Sequence, residues 1–484
     1  MNEFNWSHPQ RQPIAGLLVV FLNTIWEVAK RLWPLLILMV IGKKGNMSRY
    51  EYMAIGFLVI TIVTALLRFL YFRFYLEENK LIIRKGWIHK ETQVIPLEKI
   101  QTVNIEQGPL HQLLNIVKLS IDTAGSQKAE ASIDSLHQSM AVALRERLLS
   151  QSQQLDANDT RISSGEVILK LNGSDLGRLS ISANHLEAFF ILLSFGFGLY
   201  ENLKDIDNSL ISGLDTYIPE GAFYSLLFLA ISILIITVLV STARIFFRFY
   251  DFKLLRTEKG YQIKSGLTHI KEKLIGLDKI QFLSWKANWI RKLMGMWMLE
   301  YHVAGGEDLK NNLKVQVPIT RNSYLHALVT NYQPMPIVDQ AFTIQMHKAF
   351  VQRRLLILGL LPAMILAAIF WWLIQWYVLL FFILPLAVLI VSLLLQKKFR
   401  LWAMDDLLYI KKGILGEERI LMLWHKVQAV SLKQSIYQRR KGLASVLIST
   451  AGGTITINFI ELEAARALAN FILFKTESSH KEWM

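Results

Sequence analysis

The chain of 484 residues contains no cysteine, which excludes disulfides, thiolate metal centres and cysteine nucleophiles. The usual catalytic signatures are missing as well. There is no Gly-x-Ser-x-Gly, no P-loop, no dinucleotide fingerprint and no His-Glu-x-x-His. His89, His185, His302 and His425 stand singly, as ordinary core or surface histidines do, so no metal or cofactor is expected. Acidic residues are the scarcer charge: 38 Asp and Glu face 53 Lys and Arg, a formal net charge of +15. Such an excess suits nucleic acid or anionic lipid, and the apolar spans described below favour lipid over nucleic acid.

What the chain does contain is one stretch used three times. Gly86, Gly266 and Gly413 are each followed fifteen residues later by a glutamine, in Lys99-Ile100-Gln101, Lys279-Ile280-Gln281 and Lys426-Val427-Gln428. Twenty-three residues beyond each glutamine come Ala124, Ala304 and Ala451, within Thr123-Ala124-Gly125, Ala304-Gly305-Gly306 and Thr450-Ala451-Gly452. Spacing kept without a gap marks three copies of one folding unit. Fourteen residues after the glutamines stand Asn115, Gly295 and Gly442, residue types that accept a left-handed backbone.

The period of two in Val103, Ile105, in Leu119, Ile121, in Val430, Leu432 and in Val446, Ile448 predicts strands. Each copy then ends in a helical period: Leu136, Met140, Leu144, Leu148, then Tyr324, Leu325, Leu328, then Leu462, Ala465, Leu468, Phe471. This order predicts a small antiparallel barrel or sandwich closed by a C-terminal helix.

On these residues the chain resembles the bacterial pleckstrin-homology-domain membrane proteins of the YdbT-like type. The family's run of Gln, a basic residue, Gly-Leu-Ala, an alternating strand and Thr-Ala-Gly stands here as Gln438-Arg439-Arg440-Lys441-Gly442-Leu443-Ala444 and Thr450-Ala451-Gly452. The likeness covers nearly the whole chain, including the hydrophobic pairs before each unit. It implies three PH-like domains alternating with transmembrane hairpins. It also implies a role in envelope homeostasis or in defence against membrane-active antimicrobials. Copy one departs from the pattern, with His111-Gln112 where the others have Arg291-Lys292 and Arg439-Arg440.

A hydrophobic content of 52% and a mean hydropathy of +0.32 point independently to the bilayer. The expected fold is an α+β membrane protein with six transmembrane helices in three hairpins. The hairpins fall at 14–72, 186–246 and 354–396, the PH-like domains at 73–150, 249–335 and 398–476, and linkers at 151–185 and 336–353. A short strand is expected at Val167 to Leu171. No cleavable leader is read at the N-terminus, because its first apolar stretch runs straight into Glu27, Lys30 and Arg31. Glu27 and Arg31, four apart, are expected to pair on one helix face, with the first half of this segment at the interface. Gly196-Phe197-Gly198 lies in an apolar span, where it suits close helix packing rather than phosphate binding.

The loop from Glu201 to Glu220 carries five acids against Lys204, which assigns it to the outside and the basic domains and both termini to the cytoplasm of a bacterial cell. Lys43, Lys44 and Arg49, in a loop this topology also puts outside, run against the rule. Asp205-Ile206-Asp207 in the acidic loop has the spacing of a nucleotide-sugar transferase metal pair. That spacing arises by chance in any acidic loop, and this one faces away from cytoplasmic nucleotide sugars.

Cations interleave with aromatics at each passage from span to domain, around Arg73, Arg248 and Arg400. They end and orient a helix, and they suit anionic headgroups of the cytoplasmic membrane. Together with Arg291, Lys292, Arg439 and Arg440 they form the candidate lipid- or partner-binding set. Gly86, Gln101, Gly266, Gln281, Gly295, Gly413, Gln428 and Gly442 are repeat residues read as structural. The expected function is that of a non-enzymatic scaffold binding the inner leaflet or a partner, such as a smaller PH-domain membrane protein or further copies in an oligomer. The alternative is a transporter or lipid-handling protein gated by its domains.

Overall fold

A computed structural model describes residues 5–41, 47–87, 89–123, 131–151, 166–185, 188–196, 198, 222–257, 260–304, 314–334 and 342–479. The acidic loop, with its Asp205 and Asp207, lies outside these residues, as do 186–187, 197 and 199–203 of the predicted third span. The chain divides into a large unit, 1–166, 255–263 and 271–484, and a small one, 167–254 and 264–270.

In the large unit, helices α1 (Gly16–Ile41) and α2 (Met47–Tyr71) precede the first copy. That copy comprises β1 (Arg73–Glu77), β2 (Lys80–Lys85), β3 (Glu91–Pro96), β4 (Ile100–Gln107), α3 (Pro109–Leu113), β5 (Ile116–Thr123), β6 (Ala131–His137) and α4 (Gln138–Gln151). Its core lies between two antiparallel sheets and α4. Phe74, Leu81, Ile83 and Ile95 from the first sheet meet Val103, Leu119, Ile121 and Ile133 from the second and Ala141, Leu144 and Leu148 from the helix. The alternation and the helical period both survive in these residues, since each hides one face from water.

The small unit carries β7 from Glu166–Lys170, the short strand expected from sequence, then α5 (Gly173–Ile181) and α6 (Ala222–Phe249). A capping box between Asn172 and Asp175 starts α5. Beyond α6, Gly266 N donates to Tyr250 O at 2.9 Å and Leu267 N to Phe247 O at 2.8 Å, fastening a turn of copy two to the helix end.

Copy two continues with β8 (Lys253–Thr257), β9 (Gly260–Ser265), β10 (Ile270–Gly276), β11 (Ile280–Ala287), α7 (Trp289–Leu293), β12 (Met296–Val303), β13 (Lys314–Arg321) and α8 (Asn322–Thr330). After β14 (Phe342–Ile344) come α9 (Ala349–Arg354), a π-helical stretch at Leu355–Leu360, α10 (Leu361–Ile374), 3-10 turns at Gln375–Phe382 and α11 (Ile383–Lys398). Gln375, with φ of 45°, breaks the helix between α10 and α11. The two legs approach closely at Gly359, where a Cβ would stand 3.0 Å from Pro385 Cα. Copy three is β15 (Arg400–Ala403), β16 (Leu407–Lys412), β17 (Glu417–Leu423), β18 (Val427–Lys433), α12 (Ile436–Arg440), β19 (Leu443–Thr450), β20 (Gly453–Glu461) and α13 (Leu462–Glu477).

Among the described residues three helical stretches are long and apolar enough to cross a membrane: Ala230–Phe249, Ala349–Leu373 and Gln375–Lys398. Gly16–Glu27 and Val59–Tyr71 are shorter apolar stretches among the described residues. In α1, Glu27 pairs with Arg68 of the neighbouring helix α2 at 2.9 Å. The side chain of Arg31, its expected partner, lies outside the described residues.

The sheets depart from three separately closed barrels. The first sheet is β1-β2-β3 and the last is β18-β19-β20, each with three strands. Between them the copies share sheets: β6-β5-β4 of copy one continues into β10-β9 of copy two, and β13-β12-β11 of copy two continues into β17-β16-β15-β14. Copies one and three have their cores between two half-sheets, while the edges of the C-terminal half-sheets of copies one and two pair with the next copy. Phe282 of copy two is accordingly part of the core of copy three. Backbone N–H and C=O groups on a bare edge want partners, and the neighbouring copy supplies them.

Candidate functional site

The most developed polar arrangement lies where copies two and three join. Strands β11 and β17 pair antiparallel in the register Phe282↔Met422, Leu283↔Leu421, Ser284↔Ile420, Trp285↔Arg419, Lys286↔Glu418 and Ala287↔Glu417. At its end, Glu417, only 7% exposed, receives Lys292 from α7 at 2.9 Å, Arg419 at 2.5 Å and Lys411 at 3.4 Å. Burial disfavours the Glu417 carboxylate, but hydrogen bonds from Lys292 and Arg419 and the charges of Arg419 and Lys411 outweigh it and bring its pKa down to about 2. Arg419 also lies over the Trp297 ring, 5.2 Å from its centroid.

Lys426, the first residue of the Lys-Val-Gln motif in copy three, is buried and donates to Asp278 O of copy two at 2.9 Å. Burial lowers its pKa, opposed by Asp278. At the junction of copies one and two the same logic uses other residues, with Lys271 on Glu106 at 3.5 Å and Arg145 on Glu272 at 2.5 Å.

The predicted cations divide by place. Lys292 is engaged at the junction just described. Arg291, beside it on α7, is half-buried; burial lowers its pKa, against the pull of Glu300, and its backbone N donates to the Asn288 side-chain oxygen at 2.8 Å. Arg400 donates to the last carbonyls of α11, Lys397 O at 3.0 Å and Phe399 O at 2.8 Å, where cations favour a helix C-terminus. Arg248 lies 5.2 Å from the Phe249 ring centroid. Arg73 begins β1, opposite Arg84. Arg439 and Arg440 close α12 and are exposed. In copy one, His111 reaches Asp134 O at 2.9 Å and Gln112 reaches Gln107 O at 3.4 Å, so this helix is tied down locally.

The repeat residues divide as well. Asn115, Gly295 and Gly442 have φ of 52°, 63° and 66°, the left-handed backbone expected at that position. Gly86, Gly266 and Gly413 also have positive φ, each folding back so closely that a Cβ would strike a carbonyl three residues on. Gln281 is wholly buried, against Gly452 of copy three, whereas Gln428 is exposed. The side-chain environment of Gln101 lies outside the described residues. One residue type at one repeat position thus meets different surroundings, because only some copies have a following neighbour.

A buried polar cluster escaped sequence reasoning. Ser284 Oγ is 2.8 Å from His302 Nε2 and donates to Glu300 Oε2 at 3.5 Å; Lys286 and Gln316 donate to Glu300 Oε1 at 2.6 and 2.9 Å. The residue types match a hydrolytic triad, but the geometry does not. Ser284, Glu300 and His302 are 4%, 3% and 5% exposed, His302 stacks on Phe282, and the acid approaches the same ring nitrogen as the serine. A triad carboxylate must orient the opposite nitrogen. The cluster is a cross-strand polar network, legible only as polar residues two apart on β12 facing one on β11. Among the described residues no group of three His, Cys, Asp or Glu could hold a metal ion.

The chain matches the bacterial PH domain family over residues 17–152, 209–335 and 353–475. It is also 22% identical over 498 aligned residues to the UPF0699 transmembrane protein YdbT of Bacillus subtilis (strain 168), across 96% of this chain and 98% of that relative. The matched regions take in each repeat together with its preceding apolar helices, and the chain is a membrane protein belonging to the bacterial PH domain family.

Proposed function

We propose that the protein is a non-enzymatic membrane scaffold whose PH-type repeats lie against the inner leaflet and dock a partner, in the service of envelope homeostasis or resistance to membrane-active antimicrobials. In this reading six spans in three hairpins hold the repeats and both termini on the cytoplasmic side. The observation that carries it is the fate of one repeated helix. In copy two Lys292 is drawn into the junction, while in copy three Arg439 and Arg440 remain exposed beside a strand edge that is unshared among the described residues. Two exposed cations near an anionic leaflet contribute about 1 kcal/mol each, and tethering by apolar helices supplies the rest of the localisation.

The test is hydrogen–deuterium exchange on the full-length protein in nanodiscs. Anionic lipid is expected to slow exchange across 436–441 relative to zwitterionic lipid, and Arg439→Gln/Arg440→Gln is expected to abolish the difference. Identical exchange in both lipids sinks the leaflet-binding half of the reading. Cells carrying the double variant at normal abundance should lose protection against a membrane-active peptide. If Glu27→Gln alone removes that protection, the transport reading takes over, with the Glu27–Arg68 pair as its first residue pair to examine.

A further inference from the structure

The two internal junctions leave two outer edges. Strand β3 ends the first sheet and β18 begins the last, and among the described residues neither has a strand on its outer side. The other outer strand of the first sheet, β1, is covered by the N-terminal segment, where Gln10 pairs with Phe74 and Leu76 N donates to Trp6 O at 2.8 Å. The β18 edge is the repeat equivalent of β11, which is paired on both sides. Its residues Gln428, Ala429, Ser431, Leu432 and Lys433 are all exposed.

Carrying the internal register onto β18 through the repeat spacing shows what would fit. Ser431 stands where Ser284 faces Ile420, Lys433 where Lys286 faces Glu418, and Gln434 where Ala287 faces Glu417. Arg439 occupies the place of Lys292, which binds Glu417 in the internal junction. The edge therefore offers two cations, Lys433 and Arg439, to a strand bearing carboxylates at two consecutive positions.

A second copy of this chain is poorly suited. On its free β3 edge the positions equivalent to Glu417 and Glu418 are Lys90 and Glu91. Glu91 would meet Lys433 favourably but is already paired with Lys85 at 3.4 Å, and Lys90 would face Arg439. Like charges at one register position select against that pairing.

From this we infer that β18 and α12 form the docking edge for the third strand of a further PH-type domain, carried by a different protein and bearing two adjacent acids. The strand would extend the last sheet as β17 extends that of copy two. Backbone pairing supplies affinity, and Lys433 with Arg439 supplies the choice of partner. The inference rests on the partner-docking half of the proposed function and names the chemistry of the partner.

The absence of cysteine makes a register-specific test clean. Ser431→Cys in the full-length protein is joined by a short bis-maleimide to a synthetic peptide of residues 413–424 carrying cysteine in place of Ile420. Crosslinking is expected to exceed by about tenfold that of the same peptide with both glutamates changed to lysine, as two charge pairs would give. Lys433→Glu/Arg439→Glu should reverse the preference, so that the lysine peptide is captured instead. Charge-independent or absent crosslinking overturns the inference. Chain-to-chain crosslinks between Ser431→Cys and Gln93→Cys populations also overturn it, in favour of self-association. If anionic lipid still protects 436–441 while the peptide is not captured, only this inference falls; if both fail, the proposed function falls with it.

Discussion

Strands β11 and β18 are the same strand of two copies, and they live in different worlds. Gln281, Phe282 and Trp285 of β11 are buried, while their equivalents Gln428, Ala429 and Leu432 of β18 are exposed. The side chains follow: two large aromatics in the strand with neighbours on both sides, alanine and leucine in the strand with a neighbour on one. A Lys stands at the same place in both, Lys286 and Lys433, yet Lys286 is 2.6 Å from the buried Glu300 and only Lys433 is fully open. The comparison teaches that the repeat encodes a unit, whereas its position in the chain decides which of its surfaces is interior.

The sharpest way to break the comparison is to block the junction that β18 lacks. A Cβ at Gly416 would overlap Ala287 O, so Gly416→Ala should force β17 away from β11 and cost about 3 kcal/mol or more. The loss is read as a fall of several degrees in the unfolding midpoint followed by tryptophan fluorescence in detergent.

Glu417→Gln comes next. It leaves Lys292, Lys411 and Arg419 around a neutral amide and should cost about 2 kcal/mol, discounted because the cations are partly in water. The folded pKa of Glu417 is lowered, so its contribution is whole above its ordinary value of 4.5 and is lost as pH falls toward about 2. The midpoint difference between wild type and Glu417→Gln, measured from neutral pH downward, should therefore close in acid. A difference independent of pH would remove the ionised carboxylate from the account.

A smaller effect tests the unit itself rather than its neighbours. Asn115 holds φ of 52°, so Asn115→Ala should cost about 1 kcal/mol and Asn115→Gly little or nothing. The smallest is expected at α12, where Arg439→Gln/Arg440→Gln should shift the midpoint by no more than about 0.5 kcal/mol, since both residues are exposed. A large shift there would mean that these cations hold the fold together and would remove them from any binding surface.

Much of a single copy was legible in the sequence. The fixed spacing announced the repeat, Asn115, Gly295 and Gly442 announced the left-handed turn, and Leu119, Ile121 with Leu144, Leu148 announced the two faces of one core. Period and special backbone angles are local properties, written within a few residues. The candidate site was legible in part. Arg439 and Arg440 lie exposed as a binding surface requires, but nothing near Lys292 in the sequence foretells Glu417, which lies 125 positions away. Lys426 looked like a motif residue of its own copy, and its hydrogen bond runs to copy two. Val430 and Leu432 read as a strand's alternation, yet Leu432 is 41% exposed, on a strand that among the described residues has a neighbour on one side only.

By itself the sequence determined three repeats of a PH-type unit, their strands and closing helices, and their attachment to apolar helices. These follow from hydrophobic period, turn chemistry and composition, which act over short stretches of chain. Only the tertiary structure decided that neighbouring copies share sheets, which cations are spent at the junctions, and which edge is left over. Strand pairing between copies is made by backbone groups that every residue carries, so its register depends on the packing of distant side chains and not on any local pattern.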